Sequence, residues 1–135
     1  MEKVKYVTDF TVFPNQINTV GTLFGGELLG KMDIAAATLA RKLLYKTEAD
    51  GAVTASLDKV DFLCPGHLGD LITIETELKS IGVTSMVIKC SVNREDIRGN
   101  SQTICTAHFT FVAIKAGKKY EHNLSFEKIL EQNLL

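Results

Sequence analysis

The fold of this chain is decided by the stretch Asn18-Thr-Val-Gly-Thr-Leu-Phe-Gly-Gly-Glu-Leu-Leu-Gly-Lys-Met-Asp-Ile-Ala-Ala-Ala-Thr-Leu-Ala-Arg-Lys-Leu-Leu44. A glycine-rich turn leads directly into the longest helical pattern of the sequence, which predicts a helix over 26–45. At about 100° per residue, apolar side chains fill an arc of roughly 200° opposite a narrow polar face, which favours a helix wrapped by a curved sheet. The apolar arc contains Leu28, Leu29, Met32, Ala35, Ala36, Leu39, Ala40, Leu43 and Leu44. The polar face contains Glu27, Lys31, Thr38 and Lys42.

Asp33 lies inside the apolar arc of the predicted helix. A carboxylate in this position is partly removed from water, which costs free energy unless a partner compensates it. One interpretation is a structural aspartate that pairs with a backbone group or with a lysine across the core. The other is a general base that is held where water is scarce.

Gly25 and Gly26 stand at the start of the same helix. The first helical turn leaves backbone N–H groups without partners and carries partial positive charge. Glycine also lets a substrate carbonyl approach the backbone closely. An oxyanion hole has this construction. A plain loop-to-helix turn explains the two glycines equally well, but the aspartate that follows in the apolar arc favours a catalytic role.

Composition and charge narrow the class of protein. With 135 residues, of which 45% are hydrophobic and 23% charged, the chain is expected to form a single globular domain, 1–135. A net charge of −1 gives no indication of nucleic acid or an anionic membrane as a partner. No apolar run reaches the roughly 18 residues of a membrane span, and no signal-peptide core is evident, so a cytoplasmic protein is expected. Three separate cysteines and three scattered histidines predict reduced thiols and no metal site.

Alternating apolar and polar residues predict a sheet around this helix. Strands are predicted at 3–13, 53–63, 71–81, 85–95 and 102–115. Within the second strand the alternation changes phase near Lys59 and Val60, which indicates a β-bulge. A short amphipathic helix is predicted over 125–133, with Ser125 as its cap. These elements predict an α+β fold, in which an antiparallel sheet of about five strands packs against one long helix.

Several short motifs, spread from 6 to 118, together resemble one protein family. The most specific motif is Asn18-x-x-Gly21-Thr22-x-Phe24-Gly25-Gly26, followed by Met32-Asp33. The others are Pro14, Phe62-Leu63-x-Pro65 with Gly69-Asp70, Gly82-x-x-Ser85, and Phe109-x-Phe111-Val112-Ala113. The set resembles the hotdog-fold acyl-CoA thioesterases, and within them the bacterial acyl-CoA thioester hydrolases related to the mammalian cytosolic, brain-type acyl-CoA hydrolase. The segment after Lys119 carries no motif of this family.

The resemblance implies a hotdog fold, a reaction and an assembly. Family members hydrolyse acyl-CoA to a free carboxylic acid and coenzyme A, without metal or cofactor. They form homodimers, often arranged as a trimer of dimers, which is a hexamer. Their active sites lie at the dimer interface, where the two functional side chains come from different subunits.

The same resemblance assigns roles to individual residues. The catalytic aspartate of the family corresponds to Asp33 and its functional asparagine to Asn18. The backbone that faces the thioester carbonyl corresponds to Gly25 and Gly26. The channel for the thioester and the pantetheine arm is expected at Thr54, Ser56 and Ser85.

These residues fit thioester hydrolysis. Backbone N–H groups at the helix start polarise the carbonyl, and Asn18 orients the carbonyl or the attacking water. Asp33 either takes a proton from water or attacks the carbonyl itself, forming an anhydride, and the sequence leaves both routes open. Basic side chains are expected near the phosphates of coenzyme A. The candidates are Lys59, Arg94, Arg98, Lys115 and Lys118, none of which the sequence singles out.

Other classes of protein fit the sequence less well, and one of them stays open. A hotdog dehydratase that acts on hydroxyacyl thioesters usually needs a histidine paired with the helix acid, and no histidine lies between Met1 and Pro65. A regulator that senses acyl-CoA needs a DNA-binding module, for which the chain leaves no room. Cys64 lies close to His67, but the intervening Pro65-Gly66 favours a turn over a nucleophilic pair. A non-catalytic acyl-CoA-binding protein stays open, because only turnover separates it from an enzyme.

Overall fold

The computed structural model describes residues 2–132 and contains one antiparallel sheet and two α-helices. The long helix α1 spans Gly25–Leu43, and the short helix α2 spans Phe126–Gln132. The strands are β1 (Lys5–Thr11), β2 (Gly51–Phe62), β3 (Leu71–Ile81), β4 (Ser85–Glu95), β5 (Ser101–Lys115) and β6 (Lys118–Lys119). The predicted α+β fold and its five main strands are confirmed, and the two-residue strand β6 is an addition.

The strands lie in the order β1-β3-β4-β5-β2, and β6 pairs with β5. All pairings are antiparallel, so β1 and β2 form the two edges of the sheet. Every residue from Val53 to Lys59 in β2 is exposed, whereas β3, β4 and β5 alternate between buried and half-buried residues. The β2 edge is therefore the least covered part of the sheet.

Helix α1 packs against all five long strands, as the wide apolar arc predicts. Its buried side chains are Leu28, Met32, Ala35, Ala36, Leu39, Ala40 and Leu43. Three of these are alanines, whose small side chains let the helix approach the strands closely. The aromatic side chains of Phe109 and Phe111 on β5 are also fully buried and stack with ring centroids 6.3 Å apart.

Strand β2 contains two irregularities in its pairing with β5. One lies between Asp58 and Asp61, where Lys59 has a φ of 52°, and it confirms the predicted bulge. The other lies between Thr54 and Ser56 and was not expected from the alternation. A bulge changes which face the following side chains occupy, so the two irregularities set which β2 residues face the helix.

The C-terminal segment returns across the hairpin between β3 and β4. The buried ring of His122 lies 3.0 Å from the carbonyl oxygen of Ser85 through Nε2, and its Nδ1 accepts from the N–H of Leu124. Helix α2 begins one residue after Ser125, whose Oγ accepts from the N–H of Lys128, as the predicted cap requires. The predicted last residue of this helix, Asn133, lies outside the described residues. Across 2–132, no helix has the length and apolar character to cross a membrane.

Candidate functional site

Asp33 lies near the middle of α1, half-buried, on the side that faces β2. The hydroxyl of Thr54 donates a hydrogen bond of 2.7 Å to its Oδ1. Within residues 2–132, no salt-bridge partner and no second hydrogen bond is recorded for this carboxylate. The structural interpretation of Asp33 as part of a buried ion pair therefore has no support in the chain. One oxygen is oriented by Thr54, and Oδ2 is available to a water molecule or a substrate.

The first turn of α1 presents backbone donors without acceptors. Phe24 occupies the N-cap position, and its side chain makes no capping hydrogen bond. For Gly25, Gly26 and Glu27, no hydrogen-bond acceptor is found in the described part of the chain. A Cβ on Gly25 would meet only the ring of Phe62, at 3.6 Å. The backbone of Gly25 is therefore open to a ligand on this side. The helix start has the free donors that an oxyanion hole requires.

Asn18 organises the loop that leads into the helix. Its Oδ1 accepts from the backbone N–H groups of Val20 and Thr22, and its Nδ2 donates to the Thr22 hydroxyl. The turn closes through the N–H of Gly21, whose φ of 86° favours glycine. An amide nitrogen carries two hydrogens, so one donor of Asn18 remains after these contacts. Asn18 thus has a clear structural role next to the helix start.

The predicted site residues form two groups, which lie at different heights along the axis of α1. Eight residues separate Gly25 from Asp33, which corresponds to about 12 Å along the axis and to directions about 80° apart. Asn18 and the two glycines lie at the N-terminal end, whereas Asp33 and Thr54 lie two turns further on. No hydrogen bond joins the two groups in the described residues.

A cavity of about 310 Å³ opens beside the helix start, between α1 and the segment that connects β2 with β3. Its lining is apolar and consists of Leu23, Gly25, Leu28, Phe62, Leu63, Cys64, Pro65 and Gly66. A second hollow, of about 350 Å³, lies on the other side of the helix start and includes Phe24, Glu27 and Lys31. The two hollows differ in charge, because only the second is lined by acidic and basic side chains, Glu27 and Lys31.

A buried ion pair holds the segment between β2 and β3 in place. Arg94 donates to both oxygens of Asp70, from Nε at 2.7 Å and from Nη2 at 3.1 Å. Asp70 is buried and also accepts from the N–H of His67. The carbonyl of the preceding Gly66 accepts from the N–H of Leu23, two residues before the helix. This chain of contacts fixes the cavity wall relative to the helix start.

Of the three predicted channel residues, Ser56 and Ser85 lie on the opposite face of the sheet from Thr54. Thr54 pairs with Phe111, which is buried beneath the helix, so Thr54 lies on the helix-facing side. Ser56 pairs with one sequence neighbour of Phe111 in β5, and Ser85 pairs with the other. Directly paired residues share a face of a sheet, so Ser56 and Ser85 lie on the outer side, away from Asp33. Their role in a substrate channel stays a prediction.

Two of the basic candidates and two of the cysteines have contacts or burial that favour structural roles. Arg94, one of the basic candidates for the coenzyme A phosphates, is committed to Asp70, and Lys115 pairs with the exposed Glu48 at 3.3 Å. Burial raises the pKa of the Cys90 thiol to about 12 and that of Cys105 to about 11. Both thiols stay protonated near neutral pH and behave as core side chains.

Sequence reasoning did not find the apolar cavity or the Asp70–Arg94 pair. The sequence predicted no role for Phe62 and Leu63 beyond their place in a family motif. An apolar pair at the end of a strand, followed by a proline turn, does however indicate a loop that packs back onto the core. The ion pair joins two segments 24 residues apart, and no local pattern indicates which arginine meets which aspartate.

Comparisons with known proteins agree with this geometry. The family model described as the thioesterase superfamily matches residues 20–100. The chain is 36% identical over 117 residues to an uncharacterized acyl-CoA thioester hydrolase of Bacillus subtilis, covering 85% of this chain and 65% of that protein. The chain thus spans slightly under two thirds of the length of this relative.

Two solved structures are similar over most of the chain. One is an acyl-CoA hydrolase from Staphylococcus aureus in complex with butyryl coenzyme A, coenzyme A and coenzyme A disulfide, with 31% identity, a TM-score of 0.77, and coverage of 87% of this chain and 71% of that chain. The other is a hexameric thioesterase from Yersinia pestis, with 28% identity, a TM-score of 0.80, and coverage of 92% and 97%. The Staphylococcus enzyme was also solved as separate alanine mutants of an asparagine, an aspartate and a threonine. That asparagine and aspartate have the same sequence separation as Asn18 and Asp33.

The chain therefore belongs to the thioesterase superfamily. Its resemblance to the hotdog-fold acyl-CoA thioesterases is confirmed by homologues named acyl-CoA thioester hydrolases and by the similar folds of acyl-CoA hydrolases.

Proposed function

We propose that this protein is an acyl-CoA thioesterase, which hydrolyses acyl-CoA to a free carboxylic acid and coenzyme A. The observation that carries the proposal is the half-buried carboxylate of Asp33, which has one oxygen held by Thr54 and the other available. The free N–H groups at the start of α1 supply the second requirement of acyl transfer, a stabiliser for the developing oxyanion.

Each group has a role in the reaction. The thioester carbonyl oxygen accepts from the backbone at Gly25 and Gly26, and Asn18 orients the carbonyl or the attacking water with its remaining N–H. Asp33 removes a proton from water as the oxygen attacks the acyl carbon. The C–S bond then breaks, and the coenzyme A thiolate takes up a proton. In the second route an oxygen of Asp33 attacks the acyl carbon, the C–S bond breaks and the coenzyme A thiolate leaves and takes up a proton, and water then hydrolyses the resulting anhydride. A single turnover in ¹⁸O-labelled water separates the routes, because only the anhydride route places the label in Asp33.

The site is completed by a second copy of the chain. Within one chain the helix-start donors and Asp33 are about 12 Å apart along the axis, whereas a base and an oxyanion hole each act within about 3 Å of the groups they contact. The β2 edge is unpaired on one side, and unpaired edges are normally covered. Large apolar side chains around the site are exposed, including Phe24 (53%), Ile34 (68%) and Phe62 (55%). A homodimer is the minimum assembly, and the hexameric relatives favour a trimer of dimers.

Replacing Asp33 tests the function directly. We expect purified wild-type protein to release coenzyme A from acyl-CoA, and Asp33→Asn to lose at least about a hundredfold in kcat, which is the contribution typical of a general base. Thr54→Val keeps the carboxylate and removes only its hydrogen bond, so a smaller loss is expected. Thermal unfolding should change little in either variant.

Two outcomes contradict the proposal. If wild-type protein binds acyl-CoA but releases no coenzyme A, it is a binding protein. If Asp33→Asn retains activity within about tenfold, equivalent to about 1.4 kcal/mol of the barrier, another group performs the chemistry.

A further inference from the structure

The apolar cavity beside the helix start has no role in the hydrolysis described above. We propose that this cavity binds the acyl chain of the substrate and that Phe62 limits the length of chain it accepts. This inference rests on the proposed function, because it places the acyl group of the same substrate.

The lining of the cavity selects the acyl chain over the other parts of acyl-CoA. Its side chains, among them Leu23, Leu28, Phe62 and Leu63, carry no charge and no amide. The pantetheine arm contains amides and the nucleotide contains phosphates, and no side chain of this lining replaces the hydrogen bonds to water that these groups would lose. A hydrocarbon chain has no such loss and is stabilised by leaving water.

The position of the cavity fits the same assignment. Gly25 belongs both to its wall and to the free donors of the helix start. The acyl chain is bonded to the carbonyl carbon whose oxygen those donors hold, so it leaves the carbonyl within reach of the cavity. The hollow on the other side of the helix start contains Glu27 and Lys31 and suits a polar group.

Phe62 stands at the boundary of the cavity. Its ring lies 3.6 Å from the place where a Cβ on Gly25 would be, and the ring is about half exposed at the end of β2. The adjoining wall is fixed through the contact between Leu23 and Gly66 at 2.8 Å and through the Asp70–Arg94 pair. A volume of about 310 Å³ is at the lower end of ligand cavities, which extend from about 300 to 1,000 Å³.

The test is a chain-length series from acetyl-CoA to palmitoyl-CoA, with kcat/KM measured for wild type, Phe62→Ala and Phe62→Trp. In wild type we expect kcat/KM to rise about fourfold per added methylene, equivalent to about 0.8 kcal/mol, until the cavity is full. Phe62→Ala should move the optimum to longer chains by at least about two carbons, and Phe62→Trp should move it to shorter ones. Tyr45→Ala is the matched control, because Tyr45 is an exposed aromatic residue (61%) beyond the opposite end of α1 and lines neither hollow, and its optimum should equal that of wild type.

Binding measurements separate this inference from the proposed function. The dissociation constants of the same acyl-CoA series are measured by calorimetry with the Asp33→Asn protein and with its Phe62→Ala and Phe62→Trp derivatives. If wild type hydrolyses no acyl-CoA, the proposed function fails, and the cavity assignment is then decided by the binding series alone. The assignment is overturned if affinity does not depend on chain length. It is also overturned if both Phe62 variants keep the wild-type profile, or if Tyr45→Ala shifts it as Phe62→Ala does.

Discussion

At the scale of single residues, the proposed site depends on contacts that are missing as well as on contacts that are present. Among residues 2–132, Asp33 meets one hydrogen-bond donor, Thr54, and no cation, so its carboxylate is oriented but not neutralised. Gly25 has no side chain where a substrate carbonyl would approach the backbone. The phase of the helix predicts where Asp33 lies, but the sequence leaves open whether its carboxylate meets a cation, because its partner Thr54 comes from β2.

Gly25→Ala tests whether the backbone at the helix start is approached by substrate. The added methyl would lie 3.6 Å from the Phe62 ring, an ordinary contact, and alanine is a better helix former than glycine by up to about 1 kcal/mol. We expect the free energy of unfolding to stay equal or rise, while kcat/KM falls by at least about tenfold, or about 1.4 kcal/mol. Urea unfolding and steady-state kinetics measure the two effects.

Gly30→Ala is the control for this substitution. A Cβ on Gly30 would meet nothing within 4 Å, and Gly30 lies inside the same helix, away from its free donors. It should gain stability by the same mechanism and keep wild-type kinetics. Full activity in Gly25→Ala would mean that the substrate carbonyl is held elsewhere.

At the scale of elements, the loop between β2 and β3 is the part whose position depends most on distant residues. Asp70 is 5% exposed and receives both donors of the Arg94 fork, together with the His67 N–H. The same loop forms one wall of the apolar cavity and accepts from the backbone at the helix start. A loss of this ion pair should therefore affect both stability and the site.

Asp70→Ala leaves the Arg94 guanidinium without its partner in a largely buried place. Breaking one side of a fully buried ion pair typically costs about 3–5 kcal/mol. Because the Arg94 side chain is 19% exposed, we expect a smaller decrease, of about 1–3 kcal/mol, in the free energy of unfolding, measured in urea at fixed protein concentration. Glu75→Ala is the matched control, because the Lys5–Glu75 pair is much more exposed (35% and 45%). Surface pairs contribute about 0–1 kcal/mol. Equal losses of unfolding free energy in the two variants would show that the Asp70–Arg94 pair stabilises the fold no more than an exposed ion pair does.

The elements differ in how well the sequence predicts them, for physical reasons. The bounds of β3 and β4 match the predicted ones because each strand alternates over a buried face for most of its length and the turn around Gly82 separates them. In β2 the predicted bulge near Lys59 is present, but the one at Thr54 and Ser56 is not visible in the sequence, because exposed residues carry no alternation. This second bulge helps to explain why Thr54 faces Asp33 while Ser56 does not.

At the scale of the whole molecule, the proposed mechanism divides the residues of one chain into two half-sites. Asn18 and the glycines at the start of α1 form one, and Asp33 with Thr54 forms the other, about 12 Å further along the axis. In a two-fold dimer each site can combine different halves from the two chains, so a dimer contains two equivalent sites. The separation along the helix is what favours this arrangement over a site within one chain, and it agrees with the expectation drawn from the family resemblance.

The most direct test of the shared site is complementation between two inactive variants. Asn18→Ala and Asp33→Asn are each expected to lose at least about a hundredfold in activity alone. When equal amounts are unfolded and refolded together, about half of the dimers should be mixed, and in each of these one site carries both substitutions while the other carries neither. We expect the refolded mixture to recover roughly a quarter of wild-type activity. If mass spectrometry confirms mixed dimers and no activity returns, Asn18 and Asp33 act within one chain, and the shared site is wrong.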